Sequence, residues 1–216
     1  MKRHAHGFTM IEMAIVIVVI GLILGAVLIS GSSVFGRAGV ASLLSNIKDL
    51  ATASRDFKAR YSYFPGDLPN ATNYITANGG ISPGCNYLYL VGGNVGNGIV
   101  DTQTESDCAL DHLVKAGMLS KVDYDGTKYF ITSSVGTGVR LSLWYDSSAN
   151  VNAIRVSSLP CDIALEIDRK LDSATTNNAM PFSQGTVIAQ DASGVPIATC
   201  TVGSTNDPVP ALLIKY

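Results

Sequence analysis

The sequence predicts an α+β protein in which a long N-terminal helix packs on an antiparallel β-sheet with short helices. Three observations lead to this class. Residues 13–29 form an uninterrupted apolar run, and an apolar stripe at helical spacing follows them. Short segments in which apolar and polar residues alternate then fill the second half of the chain. Strands that follow strands along a chain favour an antiparallel sheet.

The first element is an apolar helix of membrane length. Residues 13–29 contain no charged residue and no proline. A helix over residues 8–30 would measure about 35 Å, which exceeds the roughly 30 Å core of a bilayer. Lys2 and Arg3 precede it, and basic residues stay on the cytoplasmic side. We therefore expect a leader at residues 1–7 and a transmembrane helix at 8–30, with the remaining residues outside the cytoplasm.

An amphipathic stalk helix is predicted to continue the apolar one over residues 31–63. Its apolar residues share one stripe at helical spacing, whereas Lys48, Arg55 and Arg60 lie on other faces. Pro65-Gly66 is the expected stop. The stripe consists of Val40, Leu43, Leu44, Ile47, Leu50, Phe57 and Tyr61.

Residues 64–216 form the predicted α+β head. Thr104-Glu105-Ser106-Asp107 is typical of a capping box, and it would start a helix that runs to Leu119 with Gly117 near its end. Asp191-Ala192-Ser193-Gly194 is typical of a hairpin turn. The other predicted elements are strands at 128–133, 139–145 and 153–157, a helix at 160–173, and hairpin strands at 185–190 and 195–202.

A short motif lies at the start of the apolar helix. Gly7-Phe8-Thr9-Met10-Ile11-Glu12 follows a basic leader and places a carboxylate just inside the apolar stretch. The order, spacing and topology resemble the leader of type IV prepilins and type II secretion pseudopilins, with Met10 where leucine is commoner. A secretory signal cut near residues 29–33 is the alternative, but such a signal would not explain the glycine and the carboxylate ahead of the apolar run.

The resemblance implies processing, assembly and a fold. Prepilin peptidase would cleave after Gly7 and methylate the new N-terminus at Phe8, whose α-amine is largely cationic at neutral pH. Glu12 would pair with the Phe8 amine of a neighbouring subunit and set its register. The alternatives are a pair within one chain and a carboxylate that is idle at the water interface. The implied fold is a pilin-like lollipop. The implied partners are other pilin or pseudopilin subunits, the inner-membrane assembly platform and membrane lipid.

Three head segments resemble a less-characterised bacterial branch of prepilin-like proteins. They are residues 63–69 (YFPGDLP), 113–119 (LVKAGML) and 167–172 (IDRKLD). These segments assign no activity. Relatives often follow the last segment with a short turn, which a longer polar loop at residues 173–184 replaces here.

All four cysteines follow the apolar run, where an oxidising compartment is expected. Four cysteines allow three pairings. We favour Cys85–Cys108, which closes an irregular loop onto a helix, and Cys161–Cys200, which ties a helix to a hairpin strand. A zinc site formed by cysteines and His112 is the alternative, and the lack of a CxxC pair disfavours it.

The chain contains none of the common catalytic patterns, so no enzymatic activity is expected. His112, the only histidine after the leader, is expected at a helix surface or boundary. Asp168 and Asp172 lie one helical turn apart, and we expect them to be solvated on an exposed face rather than catalytic. No cofactor is expected. Calcium is the alternative, with oxygen ligands at Asn94, Asn97, Asp101, Glu105 and Asp107, although their spacing does not fit an EF-hand.

Charge is unevenly distributed along the chain, whose formal net charge is −2. Residues 37–60 contain five basic and two acidic residues, whereas residues 61–216 contain eight basic and fourteen acidic residues. A basic stalk and an acidic head can attract each other between stacked subunits, with strong screening by salt. The acidic head argues against nucleic acid as a partner.

These observations predict a structural subunit, major or minor, of a type IV pilus or a type II secretion pseudopilus. One helix would hold it in the bacterial inner membrane with its head in the periplasm, before it enters a cell-surface or periplasm-spanning filament. The alternative is a membrane-anchored minor pilin whose head acts as an adhesin or tip receptor.

Overall fold

A long helix, α1, begins the fold and occupies Met10–Tyr61. The computed structural model describes residues 9–76, 79–86, 95–136, 138–147, 149–172, 185–197, 200 and 209–216, without the side chains of residues 23–37. Contacts divide the chain into two compact units, Met1–Ala38 and Gly39–Tyr216. Over the described residues, none of the helices combines the length and apolarity that crossing a bilayer requires.

The C-terminal half of α1 buries the apolar stripe that the sequence predicts. Leu43, Leu50 and Phe57 are fully buried, and Leu44 and Tyr61 are partly buried. Charged residues between them remain exposed. The helix ends where Ser62 adopts a left-handed conformation (φ 65°), directly before the predicted Pro65-Gly66 stop.

A six-stranded sheet of order β1-β2-β3-β4-β6-β5 forms the larger unit with the C-terminal part of α1, and each pair of neighbouring strands is antiparallel. The alternation that predicts β3 reappears as burial, because Leu141 and Leu143 enter the core and pair with Val156 and Ile154 of β4. The strands are β1 Asp123–Tyr124, β2 Tyr129–Thr132, β3 Arg140–Asp146, β4 Val151–Leu159, β5 Val187–Gln190 and β6 Val209–Lys215.

Two helices complete the larger unit. Helix α2 spans Gln103–Lys115 and α3 spans Cys161–Asp172. Short 3-10 turns lie at Ala71–Asn73 and Pro83–Cys85. The main core includes buried residues of α1, α2, α3 and the sheet. A second, small cluster contains Ala153, Ile188 and Leu213, with Trp144 packed against it.

Some elements differ from those that the sequence predicts. The capping box of α2 is Thr102 with Glu105, two residues before the predicted start. Strand β6 was not predicted, although it lies between β4 and β5. The predicted strand after the 191–194 turn is reduced, among the described residues, to a bridge between Gln190 and Pro196. Part of that strand and the loop at 173–184 lie outside the described residues.

Candidate functional site

The predicted processing residues lie at the edge of the described structure. Gly7 and Phe8 are outside the described residues, whereas Thr9 and Glu12 are within them. The Thr9 N–H and Oγ1–H each donate to Oε2 of Glu12 at 2.8 Å, and the Glu12 N–H donates to Oγ1 of Thr9 at 3.3 Å. This reciprocal arrangement is a capping box at the start of α1.

The capping box gives Glu12 a local role that the sequence reasoning missed. Thr9 and Glu12 have the Thr-x-x-Glu spacing of such a box, so the signal was present. Only Oε2 receives the hydrogen bonds from Thr9, and the side chain is exposed. A carboxylate that caps its own helix can therefore still attract a cation from outside.

The apolar residues that follow Glu12 are unusually exposed. Met10, Ile11, Ile17 and Leu22 expose between 69% and 94% of their surface. Monomeric soluble proteins rarely display a contiguous apolar surface of this extent. Residues 10–22 therefore form a surface that a lipid phase or other helices can cover.

In the larger unit, the segment at residues 63–69 (YFPGDLP) packs against α2 through Gly66. Gly66 has a φ of +92°, and a Cβ there would collide with the backbone carbonyl of Glu105. Its N–H donates to Nδ1 of His112 at 3.0 Å, and Nε2 of that ring lies 3.0 Å from the carbonyl of Cys85. Because Nδ1 accepts a hydrogen bond, the ring is neutral and donates through Nε2.

His112 is fully buried, so the expectation of a helix-surface or boundary residue is wrong. Burial lowers the pKa of His112, which keeps the imidazole uncharged. Its ring also stacks near Phe57 of α1, with ring centroids 6.0 Å apart. Both ring nitrogens have partners, which makes burial of a neutral histidine inexpensive. The position of His112, one turn after Cys108, indicated a core-facing position.

Asp67 organises the loop at residues 96–98. Its two carboxylate oxygens accept from the backbone N–H groups of Gly96, Asn97 and Gly98. The side chain is fully buried. Burial raises the pKa of Asp67, and these N–H groups oppose the rise.

The calcium candidates separate into different roles. Asn94 is outside the described residues. Asn97 accepts from the Ile99 N–H in its own turn, and Asp107 forms an ion pair with Lys128 at 3.3 Å. Within the part of the chain that the structure describes, no three histidine, cysteine or acidic side chains are arranged to hold a metal ion.

Asp101 and Glu105 do come together, as a carboxyl pair. Oε2 of Glu105 accepts from the N–H groups of Asp101 and Thr102 at 3.0 Å. Oδ1 of Asp101 and Oε1 of Glu105 are buried without a fixed donor among the described residues. Burial, together with the neighbouring Asp101 carboxyl, raises the pKa of Glu105 to about 7. The Glu105 carboxyl therefore keeps its proton to a higher pH than a solvated glutamate does.

Asp168 and Asp172 form a second carboxyl pair. Asp168 is buried, so the expectation of a solvated, exposed pair is wrong for this residue. Asp172 accepts from the N–H groups of Thr186 and Val187 at 2.9 Å and so ties the end of α3 to the start of β5. Burial, the charge of Asp172 and a hydrogen bond to it raise the pKa of Asp168 to about 6. Asp172 therefore has a structural role, because it joins α3 to β5.

The structure contains two disulfides, Cys85–Cys108 and Cys161–Cys200, which are the pairs that the sequence favoured. The first anchors the 3-10 turn at residues 83–85 to α2. The second anchors the start of α3 to Cys200. The described part of the chain contains no free cysteine.

Comparison with known proteins supports the N-terminal assignment. The profile of the prokaryotic N-terminal methylation motif matches residues 2–28, the hallmark segment of type IV prepilins and pseudopilins. The resemblance inferred from residues 7–12 is therefore confirmed for this segment. No curated protein and no solved structure is significantly similar to the chain.

Proposed function

We propose that this chain is a structural subunit of a type IV pilus or a type II secretion pseudopilus. The observation that carries the proposal is the methylation motif at residues 2–28. Prepilin peptidase cleaves after Gly7 and methylates Phe8. The processed subunit is held in the inner membrane by residues 8–30, with its head in the periplasm, until the assembly platform transfers it to the filament.

The mechanism of assembly is exchange of partners along the first helix. The exposed apolar side chains of residues 10–22 leave lipid for equivalent side chains of neighbouring subunits, in a pilin-like lollipop arrangement. The charge of Glu12 attracts the amine at Phe8 of the next subunit. Two unit charges about 4 Å apart attract by about 4 kcal/mol at an effective dielectric of 20, enough to define register.

No catalytic step and no cofactor enters this mechanism. The absence of a cofactor stays a prediction, and calcium binding by residues 94–107 stays its alternative. Isothermal titration of the purified chain with calcium, followed by the Asp101→Asn variant, measures it.

The test separates the two roles of Glu12. Glu12→Gln keeps an oxygen that accepts from Thr9 but removes the charge, whereas Glu12→Ala removes both. We expect each variant to enter sheared filaments at least about tenfold less than the parent, since a loss of about 1.4 kcal/mol already produces that ratio. Mass spectrometry of parent filaments should detect a methylated Phe8 terminus. A native chain that begins at Met1, or normal assembly of Glu12→Gln, would contradict the proposal.

A minor pilin that acts as an adhesin or tip receptor is the second candidate. The observation in its favour is a cleft on the head lined by basic and aromatic side chains, including Arg55 and Phe64. Ligand binding by the processed chain, without incorporation into the filament shaft, would favour this function over a shaft subunit.

A further inference from the structure

A basic cleft opens on the larger unit where α1 ends. Its volume is about 590 Å³, several times that of one aromatic side chain. It is lined by Arg55, Lys58, Phe64, Ile99, Val151 and Tyr216. We call this surface the basic cleft.

The lining of the basic cleft selects for an anionic group joined to an apolar one. The guanidinium of Arg55 lies 5.5 Å from the ring centre of Tyr216, and the ammonium of Lys58 lies 4.1 Å from that of Phe64. Among the described residues, neither cation forms an ion pair. Both side chains are exposed. Cations held over aromatic rings beside apolar walls suit an aromatic side chain flanked by carboxylates.

A surface of that chemistry lies elsewhere on the same unit. The tip of the β1–β2 hairpin carries Asp123, Tyr124 and Asp125, which we call the acidic tip. Tyr124 exposes 54% of its surface, and its ring packs on Tyr129 with centroids 4.8 Å apart. Asp123 and Asp125 are also exposed. The acidic tip is therefore an aromatic side chain between two carboxylates.

The hairpin is fixed by its own hydrogen bonds. Asp125 accepts from the N–H groups of Thr127 and Lys128 at 3.0 Å and from the Thr127 hydroxyl. The side-chain hydrogen bond from Thr127 is the main reason that the pKa of Asp125 is lowered to about 2. Asp123 accepts from the Thr132 hydroxyl at 2.7 Å. The acidic tip thus presents a preorganised surface, which reduces the entropy lost on binding.

We propose that the acidic tip of one copy binds in the basic cleft of the next copy. This inference rests on the proposed function and names the contact between heads. In the sheet, β1 is an edge strand, whereas Val151 of the cleft begins β4, three strands away. Each copy therefore offers both surfaces at separate places. A contact between two different surfaces repeats head to tail, and it builds an open filament when its rotation does not close a ring.

Charge reversal with rescue tests the contact in whole filaments. Arg55→Glu and Asp123→Lys should each lower the yield of sheared filaments about tenfold, because like charges then face each other across the interface. The double variant should recover to within about threefold of the parent, since the pair is restored in reverse. Lys170→Glu is the charge-matched control: Lys170 is exposed on α3, outside both the cleft and the basic stalk, and its reversal should leave the yield unchanged.

A folding defect is distinguished by the thermal unfolding of each purified variant. Where Arg55→Glu does not fold, Lys58→Glu replaces it. A photo-crosslinking residue at position 124 should join one copy to a cleft peptide of another, whereas the same residue at Tyr74, which is equally exposed, should not.

The outcomes separate this inference from the proposed function. Failure of the double variant to recover, or cross-links from position 124 to another protein or to no cleft peptide, overturns the contact while the Glu12 results stand. Absence of the parent chain from filaments overturns the proposed function itself. Rescue together with cleft cross-links supports both.

Discussion

Helix α1 contains two apolar regions that differ in burial, residues 10–22 and the stripe from Val40 to Tyr61. In residues 10–22 the large apolar side chains are exposed, up to 94% at Met10, whereas Leu43 and Leu50 in the second region are fully buried. The sequence distinguishes the two regions, because residues 10–22 contain one charged residue whereas residues 40–57 contain four. The second region has its partners inside the chain, in the core of the larger unit. The first is exposed, and under the proposed function its partners are lipid and other copies of the chain.

The largest expected effect on stability comes from disrupting the close packing of Gly66 against α2. Gly66→Ala forces a side chain into a left-handed backbone and against the carbonyl of Glu105, so we expect the free energy of unfolding to fall by about 4 kcal/mol. Gly98→Ala is the matched control, since its φ is +90° but nothing lies within 4 Å of its Cβ position. It should cost about 1 kcal/mol. Equal losses in chemical denaturation would show that the collision is unimportant.

The next effect tests the two regions of α1 directly. Leu43→Ala leaves a cavity in the core and should lower the free energy of unfolding by about 3 kcal/mol. Ile17→Ala, on the exposed region, should change it by less than about 0.5 kcal/mol yet reduce filament entry. Chemical denaturation in detergent measures the first quantity, and shearing measures the second. A loss of head stability in Ile17→Ala would contradict the assignment of Ile17 to a region without partners in the core.

The Cys85–Cys108 disulfide is expected to contribute somewhat less to the free energy of unfolding than Leu43 does. Replacement of Cys85 and Cys108 by serine removes a link across 23 residues and should lower the free energy of unfolding by about 2 to 3 kcal/mol. The reason is the greater conformational freedom of the unfolded chain. Dithiothreitol reduces both disulfides, so in its presence the parent and the variant should unfold at the same denaturant concentration. An unchanged midpoint under reduction would contradict this prediction.

The smallest effect has a defined pH dependence. The pKa of Glu105 is raised to about 7, so the stability that its protonated form provides is lost as pH rises from about 4.5 to 7. In Glu105→Gln, the amide oxygen keeps the capping box and the amide nitrogen donates to Asp101. At pH 8 its free energy of unfolding should exceed that of the parent by about 1 kcal/mol. At pH 4.5 the two free energies should be equal. A Glu105→Gln variant whose stability relative to the parent does not change with pH would contradict this prediction.

Much of the fold follows from periodicity that survives in the structure. The stripe from Val40 to Phe57 and the alternation at 139–143 each predict burial correctly. The predicted start of α2 at Thr104 is wrong by two residues, although Thr102 with Glu105 has the Thr-x-x-Glu spacing of a capping box. Each of these features is local, so local sequence contains it.

The missed features depend on distant contacts. Strand β6 contains Pro210, which argues against an interior strand. The ladder accommodates it because the opposite residue, Ser158, is left-handed (φ 55°) and the pairs on each side, Ser157–Ala211 and Leu159–Val209, remain. Burial of His112 and Asp168 likewise depends on groups far away in the chain. The processing motif can be recognised from residues 7–12 alone. The basic cleft could not be predicted from the sequence, because four separate segments of the chain form it.

The place of β6 between β4 and β5 also constrains how the head is made during export. Under the proposed function, the head crosses the membrane behind the anchored N-terminal helix, so β1 to β4 and then β5 emerge before β6, and the ladder between β5 and β6 cannot form before residues 209–215 arrive. Until then β4 has an open edge, which favours pairing with other chains. Translocation that stalls before residue 209 should therefore yield aggregates or protease substrates rather than a smaller stable head.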